Sequence, residues 1–254
     1  MKKNRTPQDS DFSNARKLEY SELTLYILSY LYSLYQICTN SISDKMFLLC
    51  SGLFLLAIFL VGEIKEKLFD SATDVRRTFL IDNAYGTKKQ PHSNKEFYDN
   101  KDIESGLKRI LANTHESSFF TSTITKKMLP SYVLSSVVLC GITVIFLFWN
   151  GLDEVSALLL NMILSGGFVK RTVSLYQLNR STSQIFSEFN SLASDFENNP
   201  DFSKFESRVI DLVIRYETYV CSDRVSLSNK IYRENNVLLT KEWEQHKDYY
   251  LLYK

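Results

Sequence analysis

Residues 129–150 read LPSYVLSSVVLCGITVIFLFWN, a run without a single charge. The hydrocarbon core of a bilayer is about 30 Å thick and needs roughly 20 apolar residues of helix at about 1.5 Å each. This stretch therefore predicts a transmembrane helix. Working outward, three further apolar stretches appear: residues 155–169 (VSALLLNMILSGGFV), 46–62 (MFLLCSGLFLLAIFLVG) and 23–38 (LTLYILSYLYSLYQIC). The first of these is interrupted by Asn161, and the last is diluted by Tyr26, Tyr30, Tyr32 and Tyr35. The competing reading is a set of buried helices in a soluble all-α domain. Pairing across very short turns favours two membrane hairpins, because a single odd span would leave a long polar segment on the wrong side.

Charge placement is an independent argument. Lys65, Lys67, Arg76, Arg77, Lys126 and Lys127 lie between the hairpins, and Lys170 and Arg171 follow the last stretch. The two hairpin turns hold Lys45 as their one basic residue, with Asp44, Asp153 and Glu154. Lysine and arginine near span ends mark the cytoplasmic side. The expected chain is an all-α integral membrane protein with two transmembrane helical hairpins and a cytoplasmic helical bundle. Its parts are a cytoplasmic N-terminal segment (1–22), a first hairpin (23–62), a helical insert (63–128), a second hairpin (129–169) and a C-terminal helical domain (170–254). Both termini face the cytoplasm, and the expected location is the bacterial inner membrane. No secretory signal precedes the spans, since the first 20 residues are polar.

The polar segments read as helices. Ile64, Leu68, Ala72, Val75 and Phe79 recur at steps of three and four, which continues the second span into the insert. Gly86 and Pro91 mark a loop, a second helix is expected over 94–112, and residues 113–121 (NTHESSFFT) turn the chain toward the third span. After the fourth span a stripe of Val173, Tyr176, Ile185, Phe189, Leu192 and Phe196 runs to a stop at residues 198–200. An amphipathic helix follows from Phe205 to Val220, and another starts near Ser226. No alternating pattern of useful length predicts a strand. Neither polar piece is large enough to bury a good core alone, so the two are expected to pack together.

Catalytic signatures are missing: there is no phosphate loop, nucleophile elbow or histidine-centred triad. Cys38, Cys50, Cys140 and Cys221 and the three histidines show no metal-ligand spacing, so neither metal nor cofactor is expected. A net charge of +1 gives no reason to expect DNA or RNA polymer binding. Two groups of residues remain as candidate sites. Arg76, Arg77, Lys88 and Lys89 form paired cations in the insert. Guanidinium groups clamp phosphate bidentately, which suits a nucleotide-type ligand; the alternative is a topological role. Ser135, Ser136 and Thr143 share one face of the third span, and Asn161 sits in the fourth. Polar groups in hydrocarbon must find a partner or water, so these residues either bond between helices or line a polar pathway in a homo-oligomer.

The layout resembles the four-span transmembrane effectors of bacterial cyclic-oligonucleotide-based anti-phage signalling. The stretches that carry the likeness are residues 74–86 (DVRRTFLIDNAYG), 97–100 (FYDN), 113–121 and 229–243 (NKIYRENNVLLTKEW). The resemblance implies a non-enzymatic inner-membrane protein that senses a cyclic oligonucleotide, assembles, and disrupts or depolarises the bilayer. The alternative is a membrane anchor or scaffold whose cytoplasmic helices recruit a partner protein.

Overall fold

The computed structural model describes residues 7–39, 43–87, 89, 100–150 and 167–253. Those residues form six α-helices and no strand: α1 (Pro7–Thr39), α2 (Asp44–Tyr85), α3 (Leu107–Asn150), α4 (Gly167–Asn198), α5 (Glu206–Asp223) and α6 (Asn229–Tyr249). Short 3-10 turns cover Phe202–Lys204 and Leu251–Tyr253. Most of the fourth apolar stretch, with Asn161 and the turn before it, lies outside the described residues, as do Lys88 and residues 90–99.

Helix ends follow local chemistry. Gly86, at φ +69°, ends α2 in the left-handed conformation that a residue without Cβ adopts at no steric cost. The Ser228 side chain accepts from the Ile231 N–H and opens α6. Two expectations are corrected. Residues 100–106 are turns rather than the end of a 94–112 helix, and α3 begins at Leu107. Residues 113–121 do not turn the chain; α3 runs straight through them. The reason is that their hydroxyls are satisfied within the helix. Ser118 donates to the His115 carbonyl at 2.7 Å and Ser122 to Phe119 at 3.0 Å. A run of polar residues therefore costs the helix little.

Two compact units are present. A polar unit gathers Asp70–Met128 with Leu175–Lys254, and an apolar unit gathers Asp11–Phe69 with Leu129–Ser174. The core of the polar unit joins Ile103, Leu111 and Ala112 to Ile185, Phe189, Leu192, Val209, Leu212, Tyr216 and Trp243. The insert and the tail thus share one core. The α4 stripe is shifted from its expected start: Val173 and Tyr176 are exposed, whereas Leu175 and Leu178 are buried. Buried Thr182 links Leu178 to Ile185, and a polar residue at that step hid the true phase.

In the apolar unit, Tyr30 packs against Leu34, Leu139, Cys140 and Val169. Phe12 meets Phe69 edge-on with ring centroids 5.6 Å apart, and Tyr32 stacks on Phe47 at 5.5 Å. Two helices, spanning Lys45–Tyr85 and Leu107–Trp149, are long and apolar enough to cross a membrane. Only 17% and 6% of their apolar windows are buried, the reverse of a soluble core helix. Each is about 60 Å long at 1.5 Å per residue, twice a hydrocarbon core, so the charged half from Leu107 to Met128 is not part of a span. Helix α1 does not meet the same test, because Ser29, Ser33 and Gln36 join its tyrosines; these three side chains are buried.

Candidate functional site

Arg76 and Arg77 are adjacent on α2, about 100° apart around the helix, and the structure gives them different work. Arg76 is nearly buried: its Nη2 donates to Glu217 Oε2 at 2.6 Å, and its guanidinium lies 5.8 Å from the centre of the Tyr216 ring. That is an internal clamp between α2 and α5. Arg77 is more open. Its Nε donates to the same Glu217 oxygen at 3.2 Å and its Nη2 to the Glu217 carbonyl at 3.2 Å, while Nη1 stands 3.6 Å from exposed Asp74.

Arg77 lines an open cleft of about 380 Å³ together with Thr218, Cys221, Ser222 and Arg224. Arg224 follows the last turn of α5 at φ 47°, ψ 38°, the one non-glycine residue with positive φ among those described. Left-handed backbone costs a side chain-bearing residue about 1 kcal/mol, and glycine is the usual occupant of a helix C-terminus of this shape. The Arg224 Nη2 donates to Asp70 Oδ2 at 3.0 Å. Between the cleft residues Ser222 and Arg224, burial pushes the Asp223 carboxyl up to about 6, and its Oδ2 is buried without a hydrogen-bond partner.

Lys89 is exposed and contributes a backbone N–H to Asp82 Oδ1 at 3.2 Å; it does not line the cleft. Lys88 lies outside the described residues. Of the three described cations in the sequence grouping, only Arg77 faces this cleft, and the residue that joins it, Arg224, was not anticipated. Its signal was an arginine standing where a helix-terminating glycine is ordinary.

The serine and threonine face of α3 divides as well. Ser136 Oγ is 2.7 Å from Thr172 Oγ1 on α4, and Thr143 Oγ1 is 3.2 Å from the Tyr30 hydroxyl on α1. Both are interhelical hydrogen bonds. Ser135 is exposed and donates to the Ser131 carbonyl of its own helix at 2.8 Å. Asn161 lies outside the described residues.

Two polar constellations were missed. In the apolar unit, Glu22 Oε2 is 2.7 Å from Lys65 Nζ and 3.3 Å from Arg171 Nη2, and Arg171 also stands 3.5 Å from Glu19. Lys65 and Arg171 were read by position alone as cytoplasmic-side charges, but ion pairs hold them between α1, α2 and α4. In the polar unit, His115 is fully buried, with Nδ1 2.6 Å from the Tyr253 hydroxyl and Nε2 3.0 Å from Asn190 Oδ1. An amide oxygen only accepts, so Nε2 carries the proton and Nδ1 accepts from Tyr253. Desolvation drives the His115 pKa down to about 3 and keeps the ring neutral. Neither group has a local sequence signature, because the partners lie tens to more than a hundred residues away.

Among the described residues no group of three or more histidine, cysteine, aspartate or glutamate side chains is placed to hold a metal ion. No protein family, curated relative or solved structure matches the chain.

Proposed function

We propose that this chain is a membrane effector of bacterial anti-phage defence, in which the polar helical unit senses a cyclic oligonucleotide and the membrane helices disrupt or depolarise the inner membrane on oligomerisation. The observation that carries this reading is the joint presence of bare apolar helices and a polar unit with an arginine-bearing cleft. Leu53, Leu56 and Phe59 on α2 and Leu134, Val137 and Ile145 on α3 are exposed, and surfaces of this kind are stable in hydrocarbon rather than in water. Four spans with both termini inside fit the cytoplasmic bias of lysine and arginine and the short turns within each hairpin. The layout it shares with four-span effectors of cyclic-oligonucleotide signalling supports the signal and the outcome. No catalytic step is assigned; the ligand acts by biasing assembly.

The test is dye release and membrane potential in proteoliposomes of the full chain, with and without a panel of cyclic oligonucleotides. Ligand-dependent leak is the expected result. A folded, inserted protein that leaks under none of them overturns the reading. Recovery of one stoichiometric cytoplasmic partner, in the absence of leak, would then assign the chain as a membrane scaffold.

A further inference from the structure

We propose that Arg77 and Arg224 form the two jaws of an oxyanion site that takes a phosphate group. This deepens the nucleotide-sensing reading by naming its contact residues, yet it stands on binding alone.

The two guanidinium groups come from different elements, α2 and the turn after α5, and line one cleft with Thr218 and Ser222. The cleft has a volume of about 380 Å³ and is open to solvent. The outward-facing ion pairs of these arginines differ in kind from the pair that Arg76 makes. Arg76 and Glu217 keep only 12% and 13% of their side chains exposed, so that pair is structural. Arg77 shares Glu217 with Arg76 through its Nε at 3.2 Å, while its Nη1 faces Asp74 and Arg224 faces Asp70, carboxylates that are 78% and 44% exposed. Such solvent-screened pairs are weak, and a multiply charged phosphate displaces them with charge-assisted, bidentate hydrogen bonds. The backbone gives a second, independent argument. At φ 47° the Arg224 backbone turns out of the end of α5, and that turn brings its guanidinium to the lining of the cleft. A phosphate on a soluble nucleotide and one on a lipid headgroup share this chemistry.

The experiment is calorimetric titration of pyrophosphate into the full chain in phosphatidylcholine nanodiscs. Saturable binding is expected, with R77Q and R224G each weakening it at least about tenfold. R224G should unfold within about 3 °C of the parent, because relief of the backbone offsets loss of an exposed ion pair. K204Q, which removes an exposed cation elsewhere in the same unit, should leave affinity unchanged. Absence of saturable binding, or an equal loss in K204Q, overturns the site. Repeating the titration in phosphatidylglycerol nanodiscs separates the sources. Weaker pyrophosphate binding there, lost in R224G, assigns a lipid headgroup; unchanged binding assigns a soluble phosphate. Binding without leak in proteoliposomes would overturn only the membrane-disruption reading, whereas leak that survives in both arginine variants would overturn only the site.

Discussion

The polar unit hides Ile185, Phe189, Leu192 and Leu212 and turns Asp74, Lys204 and Asp211 outward, whereas the apolar unit hides Ser29, Ser33, Gln36, Ser51 and Thr143 and turns Leu56, Leu134 and Phe148 outward. One chain thus obeys two opposite rules of burial. In water the gain comes from removing apolar area, at about 25 cal/mol per Å². In hydrocarbon that gain vanishes, since lipid tails are as apolar as leucine, and what remains is close packing with a few interhelical hydrogen bonds. The same side chain is therefore worth different amounts in the two units.

Equivalent deletions expose the contrast most strongly. Phe189→Ala in the polar core should destabilise the unit by about 3–5 kcal/mol, while Phe148→Ala, 93% exposed, should cost less than about 0.5 kcal/mol. Denaturant unfolding in detergent micelles measures both, and equal costs would erase the distinction between the units. Next in size, Glu217→Ala leaves Arg76 near-buried without its carboxylate and should cost about 3 kcal/mol. Pairing it with Arg76→Met should recover part of that loss, which a double-mutant cycle reads directly.

A pH titration of unfolding tests the buried histidine. The pKa of His115 is lowered in the folded state to about 3 from 6.5, so below pH 6.5 the unfolded chain binds a proton that the folded chain refuses. Its contribution to stability is complete above pH 6.5 and is lost as pH falls from 6.5 toward 3, at up to about 1.4 kcal/mol per pH unit. His115→Gln should flatten that part of the slope. The smallest effect belongs to the apolar unit. Tyr30→Phe and Thr143→Val should show a coupling of only about 0.6 kcal/mol, the average for hydrogen bonds between membrane helices.

Much of the helical architecture was legible in the residues, and for physical reasons. Periodicity announced α4, α5 and α6, and the stop at residues 198–200 matches the end of α4 at Asn198. Local rules misread the start of α3, because the hydroxyls of Ser118, Ser122 and Thr125 bond back to the preceding turn instead of breaking it. Site residues were legible only as chemical types. Arginine at positions 76 and 77 suggested a clamp, yet which of the two is internal depends on Glu217, 140 residues away. Arg224 and the Glu22 cluster were invisible for the same reason: nothing in a short window reports on a distant partner.

The bond between Tyr253 and His115 closes a loop of 138 residues, and that length sets an order of assembly. A ribosome adding about 5–20 residues per second reaches Tyr253 roughly 7–28 s after His115. Trp243, whose ring packs edge-on against the imidazole, arrives only slightly earlier. Until then the histidine ring has Phe186 and Phe189 beside it but lacks its last two partners. Meanwhile the uncharged run at 129–150 leaves the ribosome well before Tyr253. The apolar run of α3 is therefore made before the core of the polar unit can close around Trp243 and Tyr253.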